Sequence, residues 1–226
     1  NPGVRGFIER DLEWVNGLDL VNIVNLGGHC EEDYLEGVAL LNDHPLDLLE
    51  LNISCPNTKN GCMSFGLQAD IARELVRKVR AVCRHKLVVK LSPNAENITA
   101  LARACQEEGA DGISLTNTFQ AMAIDLKRRK PVFDNVYAGL SGPAIKPISL
   151  RMVHQVAHAV SIPVMGLGGI TTWQDAIEFI MAGAAVVQIG TGSFMNPALA
   201  LDVIDGMERY LEENNIGNIS EICGII

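Results

Sequence analysis

The sequence predicts an α/β protein built on parallel strands, and three observations carry the prediction. Six short runs rich in β-forming residues alternate with six longer stretches whose apolar residues recur at spacings of three and four. A strand that passes through a helix before the next strand returns parallel to it, through a right-handed crossover. Polar residues stand at the carboxyl ends of several runs, the edge at which parallel α/β proteins hold their ligands.

The strand runs are Leu20 to Asn25, Leu48 to Ile53, Leu87 to Leu91, Gly112 to Asn117, Ile162 to Gly166 and Ala185 to Gly190. Helical periodicity covers about 31–43, 68–84, 96–109, 147–160, 172–182 and 196–213. Asn94 to Asn97 and Thr171 to Gln174 read as helix starts, while Gly109 and Gly183 sit where helices should stop. The interval at about 120–138 breaks the rhythm and reads as an inserted β-hairpin with a solvated basic tip, Lys127 to Lys130. There is no linker composition, so residues 1–226 read as a single domain.

With 226 residues, 48% apolar and 20% charged, the chain can close a core, which excludes disorder and a disulfide mini-scaffold. The length nevertheless falls short of the roughly 250 residues typical of an eightfold β/α barrel. A formal charge of -9 opposes binding to nucleic acid or an anionic membrane and points to a small-molecule ligand. No run reaches the ~18 apolar residues of a membrane span, and the start, Asn1-Pro2-Gly3, carries no signal-peptide core. Cys30, Cys55, Cys62, Cys83, Cys105 and Cys223 form no C-x-x-C pair, which argues for a reducing, cytoplasmic setting and against zinc. His154 and His158 stand four apart but lack the H-E-x-x-H glutamate and a third ligand, so no metal site is expected.

The polar strand ends are Asn25, then Asn52 to Asn57, then Lys90, then Thr116-Asn117-Thr118. Alternation puts Glu50, Asn52 and Ser54 on one face of their strand and Val88 with Lys90 on one face of the next, so Asn52 and Lys90 can converge. A lone buried Lys or Asn is ordinarily a satisfied core group; agreement among several strand ends favours a site. Two glycine sequences, Gly166-Leu167-Gly168-Gly169 and Gly190-Thr191-Gly192, follow the last two strands, and bare backbone N–H groups there suit a phosphate. Neither G-x-G-x-x-G nor a P-loop occurs, which disfavours a dinucleotide fold. Cys55 precedes Pro56, which holds it in extended backbone on a defined loop, where a tuned thiol can act as a base. Cys30, Cys83, Cys105 and Cys223 read as inert buried cysteines, while Cys62 shares the loop of Cys55.

Several of these segments together resemble the class 1 dihydroorotate dehydrogenases: Glu50 to Asn57, Val89 to Asn94, Thr116 to Thr118, Gly139 to Pro147, Gly166 to Ile170 and Gln188 to Thr191. The likeness runs in order along the chain. Thr58 to Gly61 and Gly139 to Pro147 are closer to class 1B, the NAD-linked form, than to class 1A. The resemblance implies FMN on a (β/α)8 TIM barrel, of which this chain would carry about six units, the N-terminal two being missing.

It also implies roles by position. Cys55 matches the base that takes a proton from C5 of dihydroorotate, and Lys90 matches the catalytic lysine beside the flavin. Asn52, Asn57, Asn117 and Thr118 match substrate-binding positions. Asn25, Asn52, Lys90, Thr116, Gly142, Gly168, Gly169, Gly190 and Thr191 match cofactor contacts, with no metal. A partner subunit carrying FAD and a 2Fe-2S cluster, and a homodimer core within a heterotetramer, are implied in turn. The readings set against this one are a dihydropyrimidine dehydrogenase-type FMN subunit, a flavin-free phosphate-binding barrel acting as isomerase or lyase, and an inactive fragment.

Overall fold

Strand and helix follow one another in the order that the alternation dictates. The computed structural model describes residues 1–54 and 65–226. These fall into two compact units, residues 1–114 with 159–163, and residues 115–158 with 164–226.

The first unit runs α1 (Gly3–Arg10), α2 (Leu12–Asn16), β1 (Ile23–Gly27), α3 (Glu31–Leu41), β2 (Leu48–Asn52), α4 (Ala69–Val82), β3 (Leu87–Lys90), α5 (Ile98–Glu107) and β4 (Gly112–Leu115). β1 pairs parallel with β2, β2 with β3, and β3 with β4. Helices lie against the sheet through apolar stripes at helical spacing: Ala72, Leu75, Val76 and Val79 of α4, and Leu101, Ala104 and Cys105 of α5, are all at most 1% exposed. Each such Leu or Val removed from water contributes about 1.5–3 kcal/mol. The outer faces of α4 and α5 are joined by ions, Arg73 to Glu107 and Glu108 and Arg77 to Glu108.

The second unit contains β5 (Phe119–Met122), β6 (Ile124–Asp125), β7 (Lys130–Pro131), β8 (Tyr137–Leu140), α6 (Lys146–Ala157), β9 (Val164–Leu167), α7 (Trp173–Met181), β10 (Val186–Gln188), α8 (Gly192–Met195) and α9 (Leu199–Glu213). β9 and β10 are parallel. β5 and β8 form the antiparallel hairpin expected from sequence, and β6 with β7 extends it to a tip where Lys127 to Lys130 are exposed. Ile177 and Ile180 of α7 pack with Ile222, and Trp173, Met207, Tyr210 and Leu211 close around them.

The six strands and six helices lie within a few residues of their sequence-predicted positions, and α5 and α7 stop at Gly109 and Gly183. Helix α5 starts on Asn97, whose side chain accepts from Ala100 N at 3.0 Å, and α7 starts on Thr172, which forms a capping box with Asp175. The sequence placed no element before residue 20, whereas α1 and α2 occur there. The reason is physical: the stripe of α1, Val4, Phe7 and Ile8, spans about one turn and is only half-buried, too short a period to mark a helix.

The cysteine reading needs one adjustment. Cys83 and Cys105 are buried, and burial pushes the Cys105 thiol up to about 12, but Cys30 and Cys223 are half-buried.

Candidate functional site

Parallel register builds the first cluster. Asn25 of β1 lies beside Glu50 of β2, and Asn52 of β2 beside Lys90 of β3, which in turn lies beside Ser114 of β4. Register partners in a parallel pair project to the same face, so five polar side chains from four strands meet on one side of the sheet. Asn52 and Lys90 converge as the alternation predicts.

Glu50 stands at the centre, 4% exposed. Its Oε1 accepts from Ser114 Oγ at 2.6 Å, and its Oε2 accepts from Asn25 Nδ2 and lies 3.7 Å from Lys90 Nζ. Asn52 Nδ2 donates to Asn25 Oδ1 at 3.4 Å, and Asn52 Oδ1 accepts from Ser54 Oγ at 2.6 Å. From the helix side, Tyr34 of α3 donates its hydroxyl to the Asn52 carbonyl at 2.8 Å and so pins the end of β2. A buried carboxylate needs this many donors to offset its desolvation. The cluster offers amide donors and acceptors together with a cation, a set that suits a planar heterocycle carrying alternating N–H and C=O groups.

The second unit holds the glycine sequences. Thr116 Oγ1 lies 2.9 Å from Ser149 Oγ of α6, and Thr116 N donates to Leu167 O at 2.8 Å, which ties the polar end after β4 to the end of β9. Gly168 follows with φ +124 and Gly169 with φ +84. A Cβ on Gly168 would overlap Ser149 Oγ and sit 2.9 Å from Thr116 Oγ1, and a Cβ on Gly169 would sit 2.9 Å from Gly142 O, so only glycine admits this turn. At Gly142 and Gly190 a Cβ would meet nothing within 4 Å, which leaves their backbone open to a ligand. Thr191 Oγ1 donates to Ser141 Oγ at 2.8 Å. Thr118 N donates locally to Asn117 Oδ1 at 2.8 Å.

Lys146, although next to this turn, is engaged elsewhere: Nζ lies 2.5 Å from Asp175 and 2.9 Å from Glu178. Phosphate binding here would therefore rest on backbone N–H groups and hydroxyls. An open glycine backbone with hydroxyls beside it fits a phosphate tail, and the amide and lysine set of the first unit fits a flavin ring.

The structure thus brings together Asn25, Asn52 and Lys90 in one unit, and Thr116 with Gly168, and Gly142 with Gly169, in the other. Cys55, Asn57 and Cys62 lie outside the described residues. Sequence reasoning put Glu50 on the face of Asn52 without giving it a role, and missed Ser114, Tyr34 and Ser149 as parts of these clusters. Glu50 carried a signal, its period-two spacing to Asn52; Ser149 carried none, being one polar residue in a helix. His154 of α6 and His158, just past its end, have rings 4.2 Å apart, and among the described residues no group of three or more His, Cys, Asp or Glu could hold a metal. No helix among the described residues is long and apolar enough to cross a membrane.

Comparison with known proteins adds the following. A family model described as dihydroorotate dehydrogenase matches residues 1–211. The catalytic subunit of dihydroorotate dehydrogenase B (NAD(+)) from Petrotoga mobilis is 52% identical over 226 residues, covering 100% of this chain and 75% of that protein. The same subunit from Alkaliphilus metalliredigens is 50% identical, over 99% of this chain and 74% of its own length. Among solved structures, DHODH from Eimeria tenella in complex with ferulenol aligns with a TM-score of 0.77 at 26% identity, over 96% of this chain and 65% of that one. The chain therefore spans about three quarters of the curated relatives and just under two thirds of the solved one. The likeness bears out the β/α-barrel fold class expected from sequence.

Proposed function

The chain belongs to the dihydroorotate dehydrogenase family, a family of oxidoreductases, and from that premise we propose that it oxidises (S)-dihydroorotate to orotate in pyrimidine biosynthesis, as a single FMN-binding β/α domain. The observation that carries the proposal is the meeting of Asn25, Asn52 and Lys90 on one face of three adjacent parallel strands.

Bound FMN supplies the hydride acceptor that no side chain can provide. Asn25, Asn52, Lys90 and Thr116 would hold the flavin, and Gly142, Gly168, Gly169, Gly190 and Thr191 would take its phosphate side through backbone and hydroxyl donors. Asn52, Asn57, Asn117 and Thr118 bind the pyrimidine, whose ring offers both donors and acceptors. Cys55 acts as the general base: its thiolate takes the C5 proton, which is acidified by the neighbouring carbonyl, while the C6 hydrogen leaves as hydride and the C5–C6 double bond forms. The Lys90 ammonium would supply positive charge that favours the electron-rich reduced cofactor.

The names of the relatives, B-type and catalytic subunit, support an NAD-linked enzyme that works with a second subunit. That partner would carry FAD and a 2Fe-2S cluster and pass electrons to NAD, around a homodimer core and in the cytoplasm. The test is direct. Purified protein should show a flavin spectrum, release FMN on denaturation, and lose its visible flavin band anaerobically on adding dihydroorotate but not dihydrouracil. Absence of flavin, or bleaching by dihydrouracil alone, overturns the proposal. Cys55→Ala should retain FMN and lose reduction by dihydroorotate.

A further inference from the structure

Glu50 takes no part in the proposed reaction, yet its carboxylate decides how its neighbours can point. Ser114 Oγ, Asn25 Nδ2 and the Lys90 ammonium all bring hydrogens to it, the surroundings of a group that only accepts. Asn25 must therefore turn its NH2 toward Glu50. That leaves Asn25 Oδ1 as the acceptor for Asn52 Nδ2 at 3.4 Å, and it leaves Asn52 Oδ1 as the acceptor for Ser54 Oγ at 2.6 Å and Ser54 N at 3.3 Å. An Asn amide is nearly symmetric in shape, so packing alone cannot choose between its two flips; only the hydrogen-bond network can. Here the choice for Asn25 traces to the carboxylate, whereas Asn52 is held from two sides, by Asn25 Oδ1 and by the Ser54 N–H, which can only donate.

We propose that Glu50 is a positioning residue that fixes the donor and acceptor polarity of the Asn25 amide, so that the flavin meets this amide in one orientation only and Asn25 Oδ1 stays turned toward Asn52. This rests on the functional reading above for what the amides bind. Glu50→Gln keeps the size of the side chain but introduces an NH2 that can face Asn25. Asn25 is then free to turn over, while Asn52 keeps its bonds from Ser54 and loses only its acceptor on Asn25.

The first measurement is an FMN titration of the apoprotein for wild type, Glu50→Gln, Asn25→Ala and the double variant. Glu50→Gln and Asn25→Ala should each weaken FMN by about tenfold, the loss of one charge-assisted or well-oriented hydrogen bond. If Glu50 acts through Asn25, the double variant should bind within about threefold of Asn25→Ala alone, because the two residues form one unit. Wild-type affinity in Glu50→Gln, or losses that multiply in full, overturns the proposal.

The second measurement needs no variant and no flavin. In the wild-type apoprotein, NMR should show the Asn25 side-chain proton that faces Glu50 exchanging with water more slowly than its geminal partner, since the residue itself is exposed and only that proton is bonded. Equal exchange of the two protons overturns the proposal. Should the wild type bind no FMN, the functional reading fails while this second measurement still decides the amide orientation.

Discussion

Gly168→Ala offers the sharpest check on the turn that follows β9. The new methyl would overlap Ser149 Oγ, sit 2.8 Å from Ser149 Cβ and 2.9 Å from Thr116 Oγ1, and be carried on a backbone with φ +124. Two costs add. Holding a non-glycine residue in that region costs about 1–3 kcal/mol, and forcing a methyl into a filled space costs about 1–3 kcal/mol more. The sum, about 2–6 kcal/mol, is a large part of the 5–15 kcal/mol that stabilises a typical domain. At about 2–4 °C per kcal/mol for a chain of this size, the melting temperature should fall by roughly 10 °C. The assay is thermal melting of the apoprotein, since bound FMN would add its own linkage to stability. Repeating it in a Ser149→Gly background separates the two terms. Removing Oγ and Cβ of Ser149 relieves the overlap but not the backbone strain, so Gly168→Ala should cost about 1–3 kcal/mol less there. A Gly168→Ala protein that melts within about 2 °C of wild type, or equal costs in the two backgrounds, refutes this account of the turn.

Three further outcomes follow from the same geometry. Tyr34→Phe removes the donor to the Asn52 carbonyl, and urea unfolding should show a loss of about 1 kcal/mol with an unchanged slope. Asp175→Ala removes the acceptor for Thr171 N and Thr172 N at the start of α7 together with the partner of Lys146; a loss of about 2 kcal/mol is expected by the same assay. The Arg77 and Arg73 guanidiniums hold the Glu108 carboxyl down at about 2. A depressed carboxylate stabilises the fold above its ordinary value and loses that contribution as pH falls through the folded one, so melting temperature should decline between about pH 4 and pH 2. In Arg77→Ala the decline over that window should be shallower, and an identical acid profile would remove Glu108 from it.

How far the chain can be read without coordinates depends on whether a signal is local. Strands β1 to β4 carry period-two or continuous apolar runs, and α4 and α5 carry clean stripes, so their existence and order were legible. Convergence of Asn52 and Lys90 was legible for the same reason, since each sits at the end of its strand and adjacent strands align their ends. The role of Glu50 was not. Alternation placed it on the face of Asn52, but its partner Ser114 lies 64 positions away, so its bonds were not legible. The Thr116–Ser149 pair was hidden likewise, because no pattern in α6 marks its one fully buried serine. Helices α1 and α2 were missed because their apolar positions, Val4, Phe7 and Ile8 and then Leu12, fill only short and mostly half-buried turns.

The register of β2 and the integrity of the polar cluster depend on each other. Leu49 and Leu51 are fully buried on either side of Glu50, so their burial fixes which face of β2 is which. Slipping β2 by one residue would move both leucines to the polar row and carry Glu50 to the apolar side. The carboxylate would then lose Asn25, Ser114 and Lys90 together, and a buried charge without partners costs several kcal/mol. The apolar row and the polar row thus select the same register from opposite directions. That agreement is why a costly buried glutamate can be tolerated at this point in the sheet, and why the amides beside it hold one orientation before any ligand arrives.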